Sequence, residues 1–103
     1  MRRLLDLLRA LADPTRLRIF VLLRTIDLSV GELAQVLEQS QPRVSRHVKI
    51  LADAGLVARR KEGSWVFLGI GEGPAIEPLF MLLDRFVGEN ARDAQKLADV
   101  LTE

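Results

Sequence analysis

Apolar residues recur at helical spacing through the first quarter of the chain. One set predicts a short amphipathic first helix and consists of Leu4, Leu5, Leu8, Leu11 and Ala12. Asp13-Pro14 ends this helix and begins a second one that runs to about Arg24, because aspartate caps free helix amides and proline suits the first helical position. The second helix is apolar on most sides, which predicts that it is the most buried element.

Two further helices follow in close succession. Ser29 and Glu32 have the spacing of a capping box, which predicts a third helix over about residues 30–37. Ser40 is placed to cap a fourth helix that ends before Gly55, a favourable left-handed stop. Two helices joined by about three residues form a helix-turn-helix.

The apolar period changes from helical to alternating after the fourth helix. Residues 56–61 and 64–70 read as two strands of a β-hairpin joined by a glycine-bearing turn. One long final helix is then predicted from Ala75 to about Leu101. The predicted fold is therefore mainly α with a small β-hairpin, a winged helix-turn-helix in which four helices precede the hairpin and a fifth follows it.

The composition bounds the domain count and removes several kinds of chemistry. The 103 residues, 49% of them hydrophobic, suffice for one core, so residues 1–103 are predicted to be a single domain. The absence of cysteine and the presence of one histidine exclude disulfides, thiolate metal sites and a cysteine nucleophile. No serine and acid stand beside that histidine as a catalytic set, so no enzyme is predicted. No segment approaches about 18 uncharged apolar residues, which predicts a soluble cytoplasmic protein with no membrane partner.

Charge is unevenly distributed although the net charge is only +1. Residues 1–40 carry six bases and five acids, residues 41–65 six bases and two acids, and residues 72–103 three bases and seven acids. A basic middle before an acidic tail is the asymmetry expected of a domain with one face for a polyanion.

The fourth helix has an apolar side and a basic side. On a helical wheel the buried side consists of Val44, Val48 and Leu51. The outward side and its flanks contain Pro42, Arg43, Ser45, Arg46, Lys49 and Asp53. A helix fits the DNA major groove, where arginine donates two hydrogen bonds to a guanine edge and lysine or serine binds phosphates. The alternative is a solvated face with ordinary charges, but the adjoining capped helix and basic hairpin favour DNA.

His47 lies near the boundary between these two sides. A structural histidine that packs beside the core and a contact to a base or phosphate both stay open. A metal-ligand role is disfavoured because the sequence offers no cysteine or second histidine to join it.

The first strand of the hairpin ends in three bases, Arg59, Arg60 and Lys61. The wing of such a domain lies along the phosphate backbone or in the minor groove, which makes these residues candidate DNA contacts. A basic strand end also protects an edge strand from aggregation, so that explanation stays open. Trp65 and Phe67 are predicted to pack rather than to stack on bases.

The apolar positions of the first and last helices exceed what one domain of this size can cover. This excess predicts a homodimer that buries both helices against their symmetry mates, and a last helix folded back on its own domain is the alternative. A symmetric dimer suits a helix-turn-helix protein, because its two reading helices address half-sites about one turn of DNA apart in a palindromic operator.

Several stretches together resemble the ArsR (ArsR/SmtB-like) family of bacterial winged-helix repressors. They are LRALADPTRLRI at residues 8–19, ELA at 32–34, SQPRVSRHVKIL at 40–51 and AGLV at 54–57. With the hairpin, the similarity covers about residues 4–70. It implies a dimer built from the first and last helices, DNA reading by residues 41–54 and release of DNA when an effector binds. Carried over position by position, the implied DNA contacts are Gln41, Arg43, Ser45, Arg46 and Lys49 on the helix, His47 with its role open, and Arg59, Arg60 and Lys61 on the wing.

The chain departs from this family at the positions of its metal sites. Where many members have a cysteine pair, this sequence has Ser29-Val30-Gly31, and residues 72–103 contain no histidine for the second family site. The acids in that tail hold transition metals poorly without nitrogen or sulfur ligands. We therefore expect no metal and no cofactor, and a trigger that is an unidentified small-molecule effector, a partner protein or none.

The predicted function is a homodimeric transcriptional repressor that binds double-stranded DNA at specific sequences, and two alternatives stay open. One is a winged-helix protein-interaction module whose basic face serves only solubility. The other rests on residues 91–101, which resemble the helix that joins such a domain to an S-adenosylmethionine-dependent methyltransferase in some fusion proteins. The chain would then be the detached DNA-binding domain of such a fusion.

Overall fold

The computed structural model describes residues 1–86 and 91–102 of the chain. The helices are α1 (Arg2–Leu11), α2 (Pro14–Leu23), α3 (Val30–Leu37), α4 (Gln41–Asp53), α5 (Ile76–Phe86) and α6 (Ala91–Leu101). The strands are β1 (Leu28–Ser29), β2 (Val57–Glu62) and β3 (Trp65–Ile70). Among these helices, none combines the length and the apolar character that a membrane crossing requires.

The first three predicted helix starts after α1 are confirmed by their caps. The Asp13 carboxylate accepts from the backbone N–H of Arg16 at 3.1 Å, and Pro14 occupies the first helical position of α2. At α3 the capping box is complete, because Ser29 and Glu32 each accept the other's backbone N–H, at 3.1 and 2.9 Å. Side-chain acceptors therefore replace the hydrogen bonds that the first turn of a helix lacks.

The turn between α3 and α4 is short and tied to α2. α3 ends at Glu38, which adopts a left-handed conformation with φ 56°, and Ser40 caps α4 through the backbone N–H of Arg43 at 3.4 Å. Between them, the Gln39 amide donates to the Thr15 hydroxyl at 3.0 Å. This bond fixes the helix-turn-helix against the start of the central helix.

The sheet has one strand more than the sequence predicted. β2 and β3 form the expected antiparallel hairpin, with Glu62 opposite Trp65 across a turn in which Gly63 has φ 60°. β1 pairs antiparallel with the other edge of β3, Leu28 opposite Leu68, so the strand order is β1-β3-β2. A two-residue strand has no alternating pattern of its own, which is why the hydrophobic periodicity missed it.

α2 contributes to the core, but the prediction that it is the most buried element is wrong, since four of its ten residues are buried against four of the eight residues of α3. Ile19 and Phe20 are fully buried there, and the Phe20 ring stacks on Phe80 of α5 with centroids 4.4 Å apart. α4 packs on both α2 and α3, and β3 packs against α2 and α3 with Leu68 fully buried. α4, the second helix of the helix-turn-helix, is therefore packed against the core along one side.

The side of α1 that packs against the core is not the side formed by the predicted apolar set. Leu7 and Ala10 are buried, at 5% and 3% exposure, whereas Leu4, Leu5 and Leu8 are 41–50% exposed. The helix thus has two apolar sides, one against its own domain and one open to solvent.

The single terminal helix predicted from the sequence is replaced by two helices, α5 and α6. The junction at residues 87–90 lies outside the described residues. α6 packs on α3, and its buried Asp93 accepts two hydrogen bonds from Arg18, at 2.6 and 2.8 Å. These bonds hold the pKa of Arg18 above its usual value. α6 therefore folds back on its own domain, which was the alternative to a dimer for the last helix. α5 does not cover all of its apolar side chains, because Leu82 and Phe86 are exposed.

Candidate nucleic-acid interface

α4 presents a basic side to solvent because its opposite side is locked into the core. Val44, Val48 and Leu51 are at most 1% exposed, which confirms the buried side predicted from the helical wheel. The predicted contact residues on this helix that are exposed are Gln41, Arg43, Ser45, Arg46 and Lys49. Burial of one side fixes the rotation of the helix, so these polar side chains face outward together.

The bases on α4 differ in how far they are already paired. Lys49 lies 3.0 Å from the Asp53 carboxylate one turn later, in an exposed pair that contributes little stability. Within residues 1–86 and 91–102, the guanidinium groups of Arg43 and Arg46 have no ion-pair partner. Two arginines with uncompensated charge are therefore available for an anionic or hydrogen-bonding partner.

His47 is set apart from the other predicted contacts on α4. Its side chain is only 18% exposed and lies against the start of α2, with Nδ1 3.3 Å from Arg16 Nη1 and 3.9 Å from the Asp13 carboxylate. Arg16 is itself held by the carbonyl of Ala10, to which its Nε donates at 2.6 Å. The histidine thus occupies the seam between α4 and α2 rather than the outward face.

The three wing bases are all exposed, but they do not point the same way. Side chains alternate along a strand, so Arg59 and Lys61 share one face of β2 and Arg60 lies on the other. The Arg60 guanidinium is 2.6 Å from Asp27 Oδ2 and 3.2 Å from Glu62 Oε1. It also lies over the Phe67 ring, 5.8 Å from the centroid. Arg60 is therefore engaged within the domain, whereas its two neighbours project from it.

Asp27 is a residue of this surface that the sequence did not reveal. It precedes β1, is 33 residues from Arg60, and shows no local motif. Its carboxylate lies against Gly69 of β3, where an added Cβ would come within 2.5 Å of Asp27 Oδ1. A glycine at 69 thus makes room for the carboxylate that binds Arg60 of the wing.

The prediction that Trp65 packs is wrong. Its side chain begins β3 at the tip of the hairpin and is 66% exposed, while Phe67 is partly covered, with the Arg60 guanidinium over its ring. At the other end of the hairpin, Gly71 N donates to the Leu56 carbonyl at 2.9 Å and closes the wing against the end of α4. The wing therefore projects directly from the reading helix.

A helix-turn-helix followed by a β-hairpin that projects from its second helix defines the winged helix-turn-helix class. The sequence profile of "Bacterial regulatory protein, arsR family" matches residues 13–59, which span α2, the helix-turn-helix and the start of the wing. Together with the structural similarity below, this match shows that the chain belongs to the ArsR family, whose members are transcriptional regulators.

Three relatives show how far the similarity extends. The arsenical resistance operon repressor of Escherichia coli is 46% identical over 63 residues, which are 60% of this chain and 54% of that protein. Reduced HlyU from Vibrio cholerae is 36% identical, with a TM-score of 0.76 over 85% of this chain and 92% of that one. The homodimeric winged helix-turn-helix domain of Mb0332 from Mycobacterium bovis is 27% identical, with a TM-score of 0.74 over 82% of this chain and 77% of that one. The chain spans about half the length of the curated relatives it matches first: 54% of the E. coli repressor and 47% of the arsenic resistance regulator ArsR1 of Pseudomonas putida.

Proposed function

We propose that this chain is a homodimeric, sequence-specific DNA-binding transcriptional regulator that reads the major groove with α4. The observation that supports this most strongly is a pair of exposed arginines, Arg43 and Arg46, that have no ion-pair partner among residues 1–86 and 91–102 and lie on a helix whose other side is buried. A rigidly seated helix that carries free guanidinium groups can hold them at guanine edges, where arginine donates two hydrogen bonds.

The proposed contacts divide by the chemistry of each side chain. On α4 we assign Arg43 and Arg46 to base edges and the remaining exposed polar residues to phosphates or bases, namely Gln41, Ser45 and Lys49. His47 positions α4 against α2 through its contact with Arg16, rather than touching DNA. On the wing, Arg59 and Lys61 are the phosphate contacts, and Arg60 positions the wing through Asp27.

The proposed dimer uses the solvent-facing apolar side of α1 together with α5. An apolar groove of about 330 Å³ lies there, lined mainly by leucines that include Leu8, Leu17 and Leu82. Leu4 and Phe86 extend the same apolar character with exposures of 50% and 79%. Exposed apolar surface of this kind marks an interface, and the Mb0332 relative is described as homodimeric. We infer that residues 1–103 act as one unit for both DNA binding and dimerisation.

A two-fold dimer presents two copies of α4, so the proposed operator is palindromic, with half-sites about one helical turn apart. We propose repression as the direction of regulation, in line with the E. coli relative named a repressor, whereas HlyU of V. cholerae is named an activator. A promoter-reporter assay with and without the protein decides between the two signs.

Fluorescence anisotropy on labelled duplexes tests the proposed function. The duplexes are selected by the protein from a randomised library and compared with scrambled versions at several salt concentrations. Binding that favours the selected duplex and weakens by several log units per log unit of salt supports sequence-specific recognition. Weak and equal binding to both duplexes would instead indicate a protein-interaction module with a merely basic face.

The two faces of the wing are expected to differ in the salt dependence of DNA binding. Lys61→Ala is expected to lower the slope of log Kd against log salt by about two units, one for each wing of the dimer, because it removes a phosphate contact. Arg60→Ala serves as the matched control and should leave the slope nearly unchanged, because Asp27 and Glu62 already neutralise its charge. Equal slopes for the two variants would contradict this division.

Zn²⁺ and As(III) are expected to leave the DNA affinity unchanged. The sequence contains no cysteine, and within the described residues no three potential ligands form a group that could hold a metal. Soft ions need thiolate or imidazole ligands to bind tightly. The measurement is anisotropy with stoichiometric metal, before and after a chelator. Stoichiometric release of DNA that the chelator reverses would refute this prediction and point to a sensor.

A further inference from the structure

The tip of the wing carries the only tryptophan of the chain, and its indole stands in solvent. Trp65 is 66% exposed, and the neighbouring Val66 is 39% exposed. Tryptophan has a large apolar body and a single N–H donor, so it gains most where one end is covered and the other finds an acceptor. At the tip the indole is open to solvent on most of its surface and is therefore accessible to a binding partner.

The pairing of the hairpin prevents Trp65 from reaching the core. Side chains alternate along β3, so Trp65 shares the face of Phe67, and the fully buried Leu68 is on the opposite face. Glu62 is the cross-strand neighbour of Trp65 and is exposed as well. The register therefore holds the indole outward.

The charge around the tip indicates the kind of partner. Residues 59–62 of the adjoining strand hold three bases and one acid, and Asp27 also lies against Arg60, which leaves the wing a local charge of +1. The bases outside the Arg60 cluster are Arg59 and Lys61. A second copy of the wing would bring like charges together, and the apolar surface proposed for self-association is on α1 and α5. A polyanion is attracted by the same charges, and duplex DNA is the polyanion that α4 is built to read.

We propose that Trp65 inserts into the DNA minor groove next to the major-groove segment read by α4. This inference deepens the proposed function and rests on it. The wing starts four residues after the end of α4 and is closed against it by the Gly71–Leu56 hydrogen bond, so we place its tip at the groove next to the one that α4 occupies. There the indole N–H donates to thymine O2 or adenine N3, and the ring lies against the deoxyribose edges.

The Asp27–Arg60 pair prepares the wing for this contact. The guanidinium joins the tip half of β2 to Asp27 before β1, at 2.6 Å, and lies over the Phe67 ring on the same face of β3 as Trp65. A wing held before binding loses less conformational freedom when it docks, so more of the contact energy of Trp65 contributes to affinity.

The intrinsic fluorescence of the chain reports this contact directly. The chain has one tryptophan and no tyrosine, so its emission above the absorption of phenylalanine comes from Trp65 alone. Titration with a selected duplex is expected to change the emission intensity and to lower quenching by acrylamide severalfold, in parallel with the anisotropy of the labelled duplex. Emission and quenching that stay unchanged while anisotropy shows saturation would overturn the inference and leave the proposed function intact. Anisotropy that shows no binding would overturn both.

Affinity measurements locate the contact in the minor groove. Trp65→Ala is expected to weaken binding by about tenfold, the size of a good aromatic contact to nucleic acid. Val66→Ala, on the other face of the same tip, is the matched control and should change affinity less than twofold. Replacing guanines beside the core site by inosine removes the N2 amino group from the minor groove. This replacement should strengthen binding of the wild type but not of the Trp65 variant, and an equal response of both proteins would overturn the assignment.

Discussion

Arg46→Ala is expected to weaken binding to a selected duplex by roughly 10- to 100-fold, the loss typical of a bidentate arginine–guanine pair. Arg46 is near the centre of the outward face of α4, is exposed, and has no ion-pair partner among the described residues. Its removal therefore takes away a contact to DNA without breaking one inside the protein. Anisotropy titrations with single-base variants of the site should also show that specificity relaxes at one position in each half-site.

Arg92→Ala is the matched control for this variant, because Arg92 is an exposed arginine on α6, outside the proposed dimer face, and carries the same charge. It is expected to bind DNA with nearly the wild-type affinity. Circular dichroism and sedimentation should show that both variants fold and remain dimeric. An Arg46 variant that binds as tightly as the wild type would refute the assignment of α4 as the reading helix.

Leu82→Glu is expected to convert the dimer into a monomer. Leu82 is 49% exposed and lines the apolar groove between α1, α2 and α5. Association would bury the new carboxylate without a partner, at a cost that raises the dimer dissociation constant by about 100-fold or more. Analytical ultracentrifugation measures this change, and affinity should fall for the full palindrome while that for a single half-site changes little.

Leu101→Glu places the same charge on a leucine of similar exposure, 47%, but on α6. This variant is expected to remain dimeric, because α6 packs on α3 of its own domain. If Leu82→Glu sediments as the wild type does, the α1–α5 face is not the dimer interface. In that case the exposed leucines there need another partner.

Features that depend on neighbouring residues were predicted well from the sequence. The helix starts at Asp13, Ser29 and Ser40 each rest on a side-chain acceptor that serves an amide three residues later. The stop at Gly55 rests on a positive φ of 79° that glycine adopts without strain. The helical wheel of α4 needed only its own apolar positions. Local rules were therefore sufficient for the helix-turn-helix and for the outward direction of its bases.

Features that depend on distant residues were not predictable in this way. The Asp27–Arg60 and Arg18–Asp93 pairs join residues 33 and 75 positions apart, and neither partner has a motif that indicates the other. For the same reason, Arg60 was predicted to contact DNA in the same way as Arg59 and Lys61. The two-residue strand β1 likewise exists only through its pairing with β3.

The burial of individual apolar residues was also only partly predictable from the sequence. Periodicity identifies which positions of α1 are apolar, but it does not say whether the domain or a second molecule covers them, and Leu8 and Leu7 have opposite outcomes. Trp65 was expected to pack because the chain has only five aromatic residues and the hairpin shows no pattern of exposed ones. Its exposure follows from the strand register, which the composition of the hairpin does not contain.

The Asp13 cap of α2 also makes the stability of the fold depend on pH. The bond from the Arg16 amide lowers the pKa of the Asp13 carboxyl below its usual 3.8, and the charges of Arg16 and His47 act in the same direction. Because the pKa is lower in the folded chain, the stabilisation is complete above pH 3.8 and is lost as the pH falls through the folded-state value. Protonation therefore removes the negative charge from the acceptor in the first turn of α2 and weakens the cap, so acid destabilises the domain where α2 begins and where His47 of α4 packs against it.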